Sequence, residues 1–510
     1  MKSYYVGRKM ITIPVTKKDF DNDPLRYIKH YLSNVVSANN NNLEEAKELK
    51  DFYKGVQQIW NKVRLNSDTS NNNQVEINHI FRQVEFKKGF MVGNPIDYSL
   101  AVSDKKTDDL TYLQKYFKDS GKASKDIDKY EDLYVCGISE QFVVPKTYNF
   151  DEQGEAPFEL YNLEIGEGFK VYTGDITKQP IFDVVVSNII DNQFKKRTQY
   201  DVYFINANDG YTYHLAFDYK CVLVAGSEKK QPYQYLPIVE SALNKNRMGI
   251  VELVISIQNG LNAIHSNQID DIIDFVNAYL VFENQQMGKT NEWEEKVKTF
   301  RKNRAISIKS TNPQLPAKVS LLKQTLQHTE INAFYELLKK EMYDIVAVPQ
   351  SSGNVTSGGD TGEARILGNG WESAQNQAKV DITYALQFEY DLLKKIISAC
   401  KEKGVKTIGD IYASDVDIKY SINMSNNILT KTQALQNLYT MHIPYEEALG
   451  IVGITSDNHG LAEKWAKFDE EAKTISMKMQ SKNLDSNNYN PTNNDTNNKL
   501  DNKENTEDKK

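Results

Sequence analysis

Three rhythms of apolar and polar positions follow one another along this chain, and their order predicts its elements. Residues 24 to 63 read as two amphipathic helices, the second carrying Leu43, Ala46, Leu49, Phe52, Tyr53, Val56, Ile59 and Trp60 at helical spacing. A polar break, NSDTSNNN at 66–73, separates them from a third helix over about Gln74 to Phe90, which stops at the Gly93-Asn94-Pro95 signal. From about 134 to 240 the texture changes to short runs rich in Val, Tyr, Phe and Ile, among them FKVYTG, IFDVVVS, TQYDVYFI and YTYHLAFDY. Such runs predict a mostly antiparallel sheet, and Asp209-Gly210 between the last two predicts a hairpin.

Helical spacing then returns. Leu253, Ile257, Leu261, Ile264, Ile272 and Phe275 predict a helix from Ile250 to Phe282, on the order of 45 to 50 Å long. The charged stretch NEWEEKVKTFRKNRAISIKS, the prolines of NPQLP and then KVSLLKQ read as a small module of a helix and strands. In the next helix, about 327 to 347, Ile331, Tyr335, Leu338, Met342 and Ile345 step by four and three, which makes one apolar seam. A third long helix is expected from Asp360 to about Lys403, with Asp360 and Glu363 placed as N-cap and reciprocal partner. An alternating strand through Val416, Ile418, Tyr420 and Ile422 leads into helices near 430–440, 444–451 and 460–475. Residues 481 to 510 are almost without apolar side chains and are expected to be disordered.

The stretch VPQSSGNVTSGGDTGEARI, 348–366, interrupts two strong helices with small polar residues, and a loop of this length is usually functional or disordered. Gly353 and Gly358 stand five apart as in a phosphate-binding loop. However, Gly359 and Asp360 follow where that loop needs a lysine, and a helix precedes where it needs a strand, so the nucleotide-binding reading is set aside. Between Pro349 and Gly362 there is no Lys or Arg. Ser351, Ser352, Asn354, Thr356 and Ser357 offer hydrogen bonds, and Gly353, Gly358, Gly359 and Gly362 let the backbone change shape.

Composition narrows the classes. A chain of 510 residues with 40% hydrophobic content holds two to four domains with real cores. The net charge of -7 and pI near 5.7 argue against a basic nucleic-acid footprint, though not against a protein that lets nucleic acid pass. Cys136, Cys221 and Cys400 are odd in number and far apart, so they read as small buried hydrophobes rather than a disulfide or zinc set. No apolar run has signal-peptide or membrane-spanning length, so a soluble protein of a reducing compartment is expected. Only nine of the 62 basic residues are Arg and Asn is abundant, which fits an AT-rich genome. The seven histidines show no ligand-like spacing and no GxSxG occurs, so no catalytic residue, cofactor or metal is expected. Asp270 with Asp274 reads as exposed polar positions on an amphipathic helix.

The order of parts resembles the portal proteins of tailed bacteriophages, most closely the type of long-tailed phages of Gram-positive bacteria. KKGFMVGNPIDYS at 87–99 is similar to the family's helix ending in a hydrophobic-Gly-Asn-Pro turn. Residues 236–284, with LPIVES, Arg247-Met248-Gly249 and the closing NAYLVFEN, resemble its block leading into a long helix. Residues 348–378 resemble its Pro, polar Gly-Ser loop and helix, although Arg365-Ile366-Leu367 replaces the usual Lys-Tyr-Lys. The resemblance covers about 75 to 475.

It implies an α+β portal architecture that assembles as a ring, typically a dodecamer, at one capsid vertex. Double-stranded DNA enters through the axial channel, driven by a separate terminase, and leaves by the same way. On that pattern residues 1–249 are the wing, 250–284 the first stem helix and 285–325 the clip. The second stem helix is 326–348, the tunnel loop 349–362, a long wing helix 363–403, the crown 404–475 and a polar tail 476–510. Gln350, Ser351, Ser352, Gly353, Asn354, Val355, Thr356, Ser357, Gly358 and Gly359 would line the channel. The implied partners are the terminase large subunit, a scaffolding protein, the major capsid protein and a head-completion adaptor, with no membrane. The implied location is the virion, and the host cytoplasm during assembly.

A constriction that grips sliding DNA should carry few phosphate-neutralising residues, since each acts as a brake, and the loop has none. Lys339 and Lys340, off the apolar seam, are read either as a channel-facing basic ring or as solvated partners of Glu336 and Asp344. Arg365 reads as a surface partner of Glu363 or Asp360, His328 as structural or exposed, and RKNR at 301–304 as a protein contact or solvated face. The alternative from another class is an intracellular nucleic-acid enzyme with 349–362 as its lid, which would need a metal-binding cluster nearby. A third is a capsid adaptor, against which the chain length and the two long helices count.

Overall fold

The computed structural model describes residues 7–63, 72–100, 107–190, 196–276, 280–284, 314–321, 328–350, 370–406, 411–422, 428–452 and 458–486, with 295, 298, 310 and 408 singly. They form two compact units, Met1–Met424 and Ser425–Lys510.

The first unit opens with β1 (Ile11–Ile13), α1 (Lys17–Asn22), α2 (Pro24–Tyr53), α3 (His79–Val92), β2 (Asp97–Leu100), α4 (Thr107–Asp119) and α5 (Lys122–Cys136). Eight strands follow: β3 (Ile138–Pro145), β4 (Phe158–Leu163), β5 (Gly168–Thr173), β6 (Pro180–Ile190), β7 (Lys196–Ile205), β8 (Thr212–Phe217), β9 (Lys229–Lys230) and β10 (Ile238–Ala242). Then come α6 (Ile250–Val276), β11 (Leu280–Glu283), β12 (Lys318–Leu321), α7 (His328–Ile345), α8 (Trp371–Glu402) and β13 (Val416–Lys419).

The strand-rich middle divides into a six-stranded sheet, β1-β5-β6-β7-β8-β9, and a three-stranded one, β10-β3-β4. All pairs are antiparallel except β1 with β5. The Asp209-Gly210 hairpin is present. Gly210 takes φ 72 and its N–H donates to Asn206 O at 2.8 Å between β7 and β8. Phe20, Ile28, Leu32 and Val35 of α1 and α2 pack on Phe169, Phe182, Val202 and Phe217 of the larger sheet as one core.

The two helices expected over 24–63 are one helix as far as Tyr53, while Gln58–Asn61 form a separate 3-10 turn and Val56 and Trp60, expected on the apolar face, are exposed. Asp23 caps α2, its carboxylate accepting from the Arg26 N–H at 3.2 Å, and Pro24 sits at the first position. The polar run around 38–42 does not break it because Asn39 and Asn42 are buried. The Asn42 carboxamide accepts from Lys9 N (3.0 Å) and donates to Lys9 O (2.8 Å), satisfying both backbone groups beside β1.

A second, larger core joins α3, α5, α6, α7 and α8 through Val84, Tyr134, Val254, Met342 and Ile396, and extends to Val416 and Ile418 of β13. β13 pairs with β2, so residues up to 424 belong with the first unit. The start of α6 shows why the Arg247-Met248-Gly249 phrase has its composition. Arg247, at φ 56, places Nη1 2.6 Å from Glu240 Oε1 and donates from Nε to Arg8 O at 2.9 Å. Gly249 crosses the end of α5 so closely that a Cβ would lie 2.3 Å from Val135 O. Only glycine permits that approach.

Two of the long helices depart from the pattern-based expectation at one end. The helix expected to reach Phe282 ends at Val276, and Leu280–Glu283 instead pairs antiparallel with Lys318–Leu321, a β-prone run finding a β-prone partner. The third long helix begins at Trp371, since Gly370 takes φ 82, which a helix interior does not. The proposed Asp360 cap lies outside the described residues.

The second unit consists of α9 (Ile428–Thr440), α10 (Tyr445–Val452) and α11 (Asn458–Ser486), with Tyr445 stacked on Trp465 at 5.2 Å. The three helices match those expected, except that α11 runs to Ser486 on a run of the helix formers Lys, Met and Gln, past the expected end at 475 and into residues 481–486 that were expected to be disordered.

Candidate functional site

The elements singled out by the sequence meet at the α6–α7 pair. His265 stacks edge-on against Tyr335 at 4.2 Å between centroids, and Gln268 donates to Asn332 at 2.9 Å, so the two helices run antiparallel. β11 follows α6 and β12 precedes α7, so Glu283 and Lys318 lie at one end of this hairpin and Gln350 at the other. Against the pair lies His79 of α3. Its Nε2 is 2.9 Å from Tyr335 OH and its Nδ1 3.5 Å from Tyr343 OH, and burial, with the Lys339 charge next, lowers its pKa to about 4.

Tyr335, Met342, Tyr343 and Val346 face the core. Ile345, expected in that seam, is 51% exposed, because Val346 takes the inward position at the helix end. Phe334 and Leu337 also face outward. Lys339 pairs with Glu336 at 3.0 Å. Lys340 is exposed, and its carbonyl accepts from the Gln350 side chain at 3.0 Å. Ser351, Ser352, Gly353, Asn354, Val355, Thr356, Ser357, Gly358 and Gly359 lie outside the described residues, as do Arg365, RKNR 301–304 and the His328 side chain.

Sequence reasoning missed a polar ladder on α6. Gln258, Asn262, Ser266 and Asp270 repeat every four residues and are all fully buried. They hold residues 73–79, which do not begin the helix expected from Gln74. Asp270 accepts from Asn73 N (2.8 Å), Ser266 from Val75 N (3.0 Å), Asn262 from Ile77 N (3.1 Å) and Gln258 from His79 N (3.2 Å). Four helical residues rise about 6 Å and two extended residues about 6.6 Å, so alternate amides of a strap meet successive rungs. Lys62 Nζ lies 3.5 Å from Asp270, which balances the buried carboxylate. Asp270 is therefore buried and structural, not an exposed polar position. The signal was present as i, i+4 polar spacing, but binary patterning assigns such residues to solvent.

A buried ionic cluster braces α5 against α8. Glu389 receives Lys122 at 2.7 Å, Lys129 at 3.3 Å and Tyr98 OH at 2.7 Å. Among the described residues no group of three or more His, Cys, Asp or Glu is placed to hold a metal ion, and no helix is long and apolar enough to cross a membrane. Cys136 and Cys400 are buried and Cys221 half-buried.

A family model described as phage portal protein, SPP1 Gp6-like, matches residues 32–475. No curated protein matches the chain.

Proposed function

Because the chain belongs to the phage portal protein family of the SPP1 Gp6-like type, matched over 32–475, we propose that it forms the ring-shaped channel through which double-stranded DNA is packaged and ejected. The family is structural rather than enzymatic, and its members belong to the virion. The observation that carries the finer reading is the α6–α7 hairpin, which holds the paired strands β11 and β12 at one end and Gln350 at the other.

In this reading α6 and α7 are the stem of a dodecamer, and 285–325 is the clip that meets the terminase large subunit and later the head-completion adaptor. Residues 1–249 and 363–403 form the wing, 404–475 the crown and 476–510 a polar tail. Scaffolding and major capsid proteins contact the outside of the ring during assembly in the host cytoplasm. Residues 350–359 are the channel-lining loop, free of basic side chains so that DNA slides. Lys340, exposed beside Gln350, is the stem lysine best placed to accompany it. Deleting 351–359 tests the reading. Rings visible by negative-stain microscopy, with DNA packaging lost, are expected, and loss of the rings themselves would count against a channel-lining role.

A further inference from the structure

A cavity of about 130 Å³ opens between the start of α6, the end of α7 and the first half of α8. Lys87 of α3 lies at its floor, only 3% exposed, and makes no hydrogen bond or ion pair with any described residue. The nearest opposite charge is Asp381, also buried in the lining. Its two oxygens are already engaged, accepting from Tyr134 OH at 3.1 Å and from the Gln377 amide at 2.9 Å. An ammonium kept unpaired at this depth destabilises the isolated subunit.

The mouth has the opposite character. Leu253, Ile345 and Val380 rim it at 37%, 51% and 50% exposure. An apolar rim around a lone buried cation disfavours a free hydrated anion. It suits a protein segment that covers the rim and delivers one negative group inward. With water occupying about 30 Å³ in the liquid, the cavity holds about four waters or the end of one side chain.

We propose that this cavity is a socket for a carboxylate side chain donated by a second copy of the chain. The inference rests on the ring reading, since a closed ring needs a head-to-tail contact in which each subunit presents a different surface to each neighbour. The socket supplies one side of such a contact, with Lys87 as its buried anchor and Leu253, Ile345 and Val380 as its collar.

Two measurements on the full chain test it. Lys87→Met keeps an unbranched side chain and removes the charge. Its ring assembly, followed by light scattering, is expected to require at least roughly tenfold more protein than wild type, while the thermal midpoint of the unassembled subunit is unchanged or higher. A photoreactive residue at Val380 is expected to cross-link to an acidic peptide of another subunit, identified by mass spectrometry of mixed isotopically labelled chains. Equal assembly of Lys87→Met and wild type would overturn the socket while leaving the ring intact. A lowered midpoint of the unassembled variant would make Lys87 a structural residue and overturn it as well. Cross-links confined to residues 351–369 of the same chain, which carry Asp360 and Glu363, would show that the chain fills its own cavity. If wild type formed no ring under any condition, the ring reading and the socket would fall together.

Discussion

Asp270 holds Asn73 twice through one oxygen, Oδ1 accepting from the backbone N–H at 2.8 Å and from the side-chain amide at 2.7 Å. It is the last of four rungs by which α6 grips a strap almost two hundred residues away in sequence, and the strap leads directly into α3.

Replacing a rung should loosen the strap without unfolding α6. Asn262→Leu removes the acceptor of the Ile77 N–H and leaves that donor buried, a loss of about 1–3 kcal/mol on chemical denaturation. Hydrogen exchange should quicken first at Val75, Ile77 and His79. Uniform acceleration across α6 would contradict a local role for the ladder.

The His79 ring gives a pH dependence with a definite sign. Its pKa is lowered to about 4 in the fold from an ordinary 6.5, so the unfolded chain binds more protons between those values and stability rises with pH across that window. Acidification from 6.5 to 4 should therefore weaken the contact of α3 with α7. His79→Gln should flatten that part of the stability profile, and a ring titrating near 6.5 by NMR would refute the assignment.

Glu389 should be among the least replaceable residues of the first unit. Burial alone would raise its pKa, but Lys122 and then Lys129 override that and hold the carboxyl well below the usual range. Glu389→Ala leaves the buried Lys129 ammonium and the Tyr98 hydroxyl without their acceptor and Lys122 with Asp126 alone, and a loss of about 3–5 kcal/mol is expected by urea denaturation. A loss under 1 kcal/mol, roughly the worth of a surface pair, would mean that the lysines find other acceptors.

Gly249→Ala tests the crossing at the start of α6. The added methyl would sit 2.3 Å from Val135 O and 2.7 Å from Tyr134 O, both backbone atoms that cannot swing aside. A destabilisation of about 3 kcal/mol is expected by thermal or chemical denaturation. Gly260→Ala, within the same helix and with open space around its Cβ, should be neutral or slightly stabilising.

The parts of the fold that were legible in the sequence were those whose burial is apolar. Strand runs such as IFDVVVS, the Asp209-Gly210 hairpin and the helices near 430–475 could be read from periodicity and turn chemistry alone. The polar interior could not. Asn42, Gln258, Asn262 and Asp270 are buried because a remote backbone segment supplies their partners, and local pattern contains no record of Lys9 or of residues 73–79. Arg247 and Gly249 were visible as a phrase, but their reason, a helix start threaded past the end of α5, appears only in three dimensions. Of the candidate channel residues, Lys339 and Lys340 are placed on α7 and Gln350 just after it, while 351–359 lie outside the described residues.

The ladder on α6 also limits how its two sides can move. A strap held at every second residue by every fourth residue of a helix cannot glide. Displacement by one strap residue would turn its amides away from α6, whereas displacement by two would bring each amide to the next rung. The helix and its strap therefore have detents about 6 Å apart. Force applied along α6 would be resisted stiffly until it was large enough to move the strap by a whole notch.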